Sequence, residues 1–212
     1  MYATLILMNP NSATEAFVRD TLGKEGTGHD WWHCVRVRNT AVQLAKEERA
    51  DALVVELAAL LHDIADHKFH NGDTEMGPRT AREFLEGQGV QTEVIEHAVN
   101  IVRHMSWSKS KDGNNAFDSV EMRVVQDADR LDALGAIGIA RCFAYGGYAG
   151  RLLYDPEGEA GEDTSAIQHF HDKLLKIKDT LHTRSARKLA QERHRFMETY
   201  LKRFHGEWDG RI

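Results

Sequence analysis

The sequence predicts an all-α fold in a single domain, residues 1–212, with its core at about 15–208. Three observations carry this. Apolar residues recur at helical spacing in nearly every segment. Strand-type alternation of Val, Ile and Thr is scarce. The punctuation between segments is helical, with Asp caps ahead and Gly behind. A length of 212 residues and 24.0 kDa suits one domain with a core that needs no disulfide or structural zinc. The chain shows no internal repeat and no interdomain linker.

The apolar run of the first eight residues is short, lacks a basic flank and stops at Asn9-Pro10, so neither a signal peptide nor a span is expected there. Residues 30–48 place Trp31, Val35, Val42, Leu44 and Ala45 on a 3.6-residue period behind Asp30, a natural N-cap. Residues 52–61 follow Asp51 and are apolar all round except at Glu56, which predicts the helix at the centre of the core. Residues 80–86 and 92–103 give two helices divided by Gly87-Gln88-Gly89. Residues 119–131 and 133–144 follow as a close pair. Residues 145–162, with five Gly and Pro156, predict a long irregular loop. Residues 163–178 and 185–204 close the chain as helices.

Charge and composition exclude several functions. Lys and Arg number 27 against 33 Asp and Glu, a net charge of −6, so stable nucleic-acid binding is not expected. The two cysteines, Cys34 and Cys142, form no C-x-x-C pair and predict free thiols in a reducing cytoplasm. No stretch approaches the ~18–20 apolar residues of a membrane helix. The 12 His are the outstanding feature, several lying next to Asp.

Among these, His29-Asp30 and His171-Asp172 read as ordinary capped helix ends. His62-Asp63 differs because it ends the most apolar helix of the chain. Unpaired charge there is costly, so both side chains need polar partners inside the protein. A metal ion accepts a neutral imidazole nitrogen and a carboxylate oxygen together. His33, from the preceding helix, and an Asp from the Asp127-Ala128-Asp129-Arg130-Leu131-Asp132 segment complete a four-ligand set, as helices of a bundle bring such residues together.

The order His…His-Asp…Asp resembles the HD-domain superfamily of metal-dependent phosphohydrolases. The stretches Gly28-His29-Asp30-Trp31-Trp32-His33-Cys34-Val35-Arg36-Val37, Leu60-Leu61-His62-Asp63-Ile64 and residues 127–138 are similar to its stand-alone bacterial branch, the YpgQ/YedJ-like hydrolases. So are residues 169–176 and 193–197. The resemblance covers roughly residues 15–208 and implies a helical bundle of the HD type. It also implies His33, His62, Asp63 and Asp129 as metal ligands. Asp129 fits the pattern of an Asp before a basic and a bulky apolar residue. Its rival Asp127 lies about 200° around the helix. Asp132, at i+3 from Asp129, is placed to orient a ligand or an arginine.

Asp66 follows Asp63 by three residues, so a continuing helix sets it on the same face as a proton-transfer group beside Asp63; the plainer alternative is a helix-end surface residue. Lys68 is the adjacent cation for catalysis. Arg36, Arg130 and His104 are the candidate substrate-binding groups, although Arg36 serves equally well as an ion pair orienting Asp63 or Asp132. Lys109 and Lys111 read as a solvated loop. His97 and His104 lie nearly two turns apart, ~10 Å of rise, which is long for ions ~3.5–4 Å apart. One ion is therefore expected, with His97 a surface or core residue. In the Gly-rich loop, Tyr145 or Tyr148 could stack on a base, though the glycines also serve plain turns. One of Trp31 and Trp32 is expected in the core.

These readings converge on a cytoplasmic phosphohydrolase for a small phosphorylated compound, expected to be a nucleotide. The branch implies nucleoside triphosphate pyrophosphohydrolase activity with release of pyrophosphate. The alternatives are a nucleotidase or phosphodiesterase, a di-iron oxidase of the same fold, or a metal- or nucleotide-binding regulatory module without turnover. The expected cofactor is one divalent ion, Mn ahead of Mg, Fe, Co, Ni or Zn. The long C-terminal helix offers a face for pairing into a homodimer.

Overall fold

The computed structural model describes residues 9–23, 30–65, 73–105, 117–158 and 164–212. Among them are nine α-helices, one 3-10 segment and no strand. The helices are α1 (Pro10–Leu22), α2 (Trp31–Glu48), α3 (Ala52–Leu61), α4 (Met76–Gly87), α5 (Thr92–His104), α6 (Val120–Asp132), α7 (Gly135–Tyr148), α8 (Ala166–Asp172) and α9 (Arg184–Trp208). The 3-10 segment is Leu174–Thr180. The chain divides into two compact units, residues 1–128 and 129–212, and the division falls inside α6.

In the first unit α3 is the central helix, packed by α1, α2 and α5, with α4 lying on α5. Its residues Val54, Val55 and Leu57 through Leu61 are all buried. Its polar member, Glu56, is met from two sides: Asn11 Nδ2 of α1 donates to its Oε2, and Arg38 Nη1 of α2 lies 3.4 Å from its Oε1. Asp51 caps α3 as expected, accepting from the N–H groups of Leu53 and Val54. The turn from α2 into α3 is short because Arg49 takes a left-handed conformation, φ 58°, and returns its N–H to the Ala45 carbonyl. Phe17 stacks on Phe84 at 4.2 Å and joins α1 to α4.

In the second unit, α9 packs against α7 and the 3-10 segment over a core that includes Ile139, Phe170, Ile177, Ala190 and Met197. Gly135 opens α7 at φ 72°, where a side chain is strained, and a Cβ there would lie 3.1 Å from Arg193 Cγ. Arg193 uses the space to donate to the Leu131 carbonyl at the end of α6.

Three elements differ from expectation. Helix α1 was not foreseen; its start is written in Asn9, whose side chain accepts from Asn11 N, and in Pro10 at the first helical position. Helix α7 continues through Gly146 and Gly147, four residues into the predicted loop. The stop is Gly150, left-handed at φ 67°, where the Arg151 N–H reaches back to the Gly146 carbonyl. The predicted helix over 163–178 is broken at Lys173, and the 3-10 winding after it stacks buried Leu174 and Ile177 on one side. Cys34 is buried and Cys142 half-buried, and neither is in a disulfide; burial pushes the Cys142 thiol up to about 11. No helix is long and apolar enough to cross a membrane among the described residues.

Because α3 carries the core, its cap is a sensitive point. Asp51→Ala is expected to lower unfolding stability by about 1 kcal/mol, and Asp51→Asn by much less. Urea titration followed by circular dichroism reads both.

Candidate metal centre

Two helix ends bring the site together. His33 is the third residue of α2 and fully buried. Its backbone N–H donates to Asp30 Oδ1 at 2.7 Å. His62 directly follows the last residue of α3, where carbonyl groups lack intrahelical partners. One of them, Ala59 O, lies 2.8 Å from His62 Nδ1. A carbonyl can only accept, so Nδ1 carries the proton, and in the neutral ring Nε2 presents a lone pair.

That lone pair points into a small cluster. His62 Nε2 lies 3.2 Å from His33 Nε2. Asp63 Oδ2 lies 3.1 Å from His62 Nε2 and 3.4 Å from His33 Nε2. The two rings meet edge-on, with planes 66° apart. Two ligands at right angles or tetrahedral angles, each ~2.0–2.2 Å from one ion, are separated by ~3–3.5 Å. The three atoms have that spacing. Two imidazole nitrogens and a carboxylate oxygen at this spacing would suit a divalent cation. Metal-bound histidines also characteristically donate their other N–H to a carbonyl or carboxylate, as His62 does.

Helix α6 carries both Asp candidates. Asp127 is fully buried and Asp129 half-buried. Among the described residues, the group whose ligand atoms all lie within 4.8 Å of one another is His33, His62 and Asp129. Asp129 follows the first unit by one residue on an uninterrupted helix. With His33 fully enclosed and the Asp63 side chain 17% exposed, the carboxylate side is the one open to solvent.

The other candidates are dispersed. Arg36 is half-buried, one turn beyond His33 on α2. Asp66, Lys68, Lys109 and Lys111 lie outside the described residues. His104 ends α5 and stacks on Phe117 at 5.9 Å. His97 meets the same ring edge-on, with its Nε2 2.9 Å from Ser119 Oγ and 3.4 Å from Glu121 Oε2. Arg130 is buried and Nη1 donates to the Thr180 carbonyl, with His182 Nε2 at 3.1 Å. Asp132 Oδ2 accepts from Arg141 at 2.7 Å and so holds an arginine. Tyr145 and Tyr148 belong to the last turn of α7 rather than to a loop; both are exposed, and Arg151 lies over the Tyr145 ring. Of the two tryptophans, Trp31 is half-buried and Trp32 exposed. The Ala59 carbonyl was not foreseen. A histidine at a helix C-terminus, three residues after a carbonyl left without a partner, is the signal for it.

Comparison with known proteins agrees with this architecture. Residues 31–134 match the HD domain family. The chain is 38% identical to the Bacillus subtilis (strain 168) protein YpgQ over 194 residues, covering 92% of this chain and 91% of that protein. The crystal structure of B. subtilis YpgQ in complex with ADP superposes with a TM-score of 0.77 at 38% identity, over 93% of this chain and 97% of that one. An HD-superfamily hydrolase from Bacillus thuringiensis superposes at 0.78 and 40% identity, over 94% and 96%. With a helical fold shared almost end to end and His33, His62 and Asp63 meeting where α2 begins and α3 ends, the chain belongs to the HD-domain superfamily of metal-dependent phosphohydrolases.

Proposed function

We propose that this chain is a metal-dependent nucleoside triphosphate pyrophosphohydrolase, holding one divalent ion through His33, His62, Asp63 and Asp129. The observation that carries the proposal is the convergence of two imidazole Nε2 atoms and a carboxylate oxygen at 3.1–3.4 Å, with the His62 proton committed to the Ala59 carbonyl. Two neutral nitrogens and two carboxylates without thiolate suit Mn, and equally admit Fe, Co, Ni, Zn or Mg. A nucleotide as substrate draws support from the YpgQ relative, whose structure is a complex with ADP. Pyrophosphate as product draws on the motif resemblance alone. Residues 1–212 act as one domain in this reading, since the HD match at 31–134 runs across the division at 128. Cys34 and Cys142, neither in a disulfide, fit a reducing cytoplasm.

When bound, the divalent ion activates water for attack on phosphorus and polarises a phosphoryl oxygen. The chain's own residues do the rest. His33 and His62 bind through Nε2, and the Ala59 carbonyl keeps the His62 proton away from that atom. Asp63 and Asp129 supply negative charge that offsets the cation. Asp66, three residues beyond Asp63, takes or gives a proton at a carboxylate oxygen. Lys68 and Arg36 neutralise substrate phosphates, Lys as a point charge and Arg with a two-pronged donor set. Arg130 is spoken for by the Thr180 carbonyl, which leaves less of its guanidinium for substrate. The overall reaction consumes one water and divides the triphosphate into a monophosphate and pyrophosphate.

His62→Ala and Asp63→Ala are each expected to lower metal content from about one ion per chain to near zero. Turnover of a nucleoside triphosphate should fall ~100-fold or more, beyond the 10–100-fold loss typical when only a ligand's support is removed. Elemental analysis with a pyrophosphate-release assay measures both; orthophosphate as the sole product would move the enzyme to the nucleotidases. Asp66→Asn should lower kcat by ~10²–10⁴ and leave metal content unchanged. Removing the ion with a chelator should lower the melting temperature, since an ion held at 100 times its Kd stabilises the fold by about 2.7 kcal/mol. Differential scanning calorimetry with and without added Mn2+ reads this.

A further inference from the structure

We infer that Asp30 is a positioning residue for His33: its carboxylate holds the first turn of α2, and through that turn the Nε2 atom His33 brings to the cluster. The inference rests on the metal-site reading above. The His29-Asp30 pair looks like one more capped helix end, and its geometry gives the cap a second task. Asp30 is extended, with φ −79° and ψ 172°, and its Oδ1 accepts from the N–H of His33 itself. Its main-chain carbonyl accepts from Cys34 N, at 3.3 Å. His33 is therefore within the first turn, among the four residues whose N–H groups have no partner inside the helix. The Ala59 carbonyl holds the His62 ring, and Asp30 holds the His33 main chain.

Asp51 supplies the comparison. It caps α3 by the same chemistry, but the residues it holds, Leu53 and Val54, lie two turns or more before His62. Loss of the Asp51 cap loosens a helix start that carries no ligand. Loss of the Asp30 cap loosens one that does.

The experiment is a Co2+ titration of the full chain, followed by the visible absorption of the bound ion, with melting temperatures measured in parallel. Asp30→Ala is expected to weaken Co2+ binding about tenfold, within the range for residues that support a metal ligand. Asp30→Asn and Asp30→Ser should stay within about threefold of wild type, because all three side chains cap well. Asp51→Ala should melt lower and bind Co2+ as the wild type does. Wild-type affinity in Asp30→Ala overturns the inference. So does an equal loss in Asp30→Asn, which would assign the effect to charge, or in Asp51→Ala, which would assign it to general stability. A wild-type chain that takes up no Co2+ overturns the metal-site reading itself, and this inference with it.

Discussion

The close approach of His33 and His62 is the constraint around which the first unit is organised. Their Nε2 atoms stand 3.2 Å apart, yet one residue opens α2 and the other follows the end of α3. They meet only because the left-handed Arg49 turns the chain sharply and α3 returns along α2. The site therefore lies at the open end of a helical hairpin. It inherits what helix ends provide: donors without partners at the start of one helix, acceptors without partners at the end of the other. Asp30 meets one of these groups and the His62 ring meets another.

The apolar character of α3 makes this arrangement demanding. A helix buried on nearly every side delivers His62, its side chain 3% exposed, and the partly exposed Asp63 to the edge of a core. Glu56 shows how the same helix handles an isolated charge, with Asn11 and Arg38 brought in from two neighbours. At His62-Asp63 the neighbours include another imidazole at hydrogen-bond distance. A carboxylate facing two nitrogen atoms at 3.1–3.4 Å is the donor set on which the proposed metal site rests. The second unit uses its charges differently. Arg130, Arg193 and the Asp132–Arg141 pair all fasten the end of α6 to the segments that follow it.

Much of the fold was legible because its signals are local. Asp30 and Asp51 announce the starts of α2 and α3, and the apolar run of α3 announces its central place. What stayed hidden depends on how one residue's signal competes with another's. Gly146 and Gly147 look like a helix stop, but the stop requires a left-handed residue, and Gly150 is the one that supplies it. The period of Ile167, Phe170, Leu174 and Ile177 reads as one helix; the backbone changes winding at Lys173 while keeping those side chains inward.

The site was legible to a different depth. The family resemblance implies His33 and Asp129 beside His62-Asp63, and the expense of burying that pair without partners can be argued from sequence. The tautomer cannot. It depends on the Ala59 carbonyl, a main-chain group present at every residue and distinguished only by where the helix ends. The same holds for Asp30: its cap is visible in the sequence, but that the capped N–H belongs to His33 follows from counting three residues into a helix whose first residue must be known. Shifting the start of α2 by one residue would give the cap to a tryptophan or to Cys34 and leave His33 without it. The chemistry of this site thus depends on helix register at two ends as much as on the identity of the residues placed there.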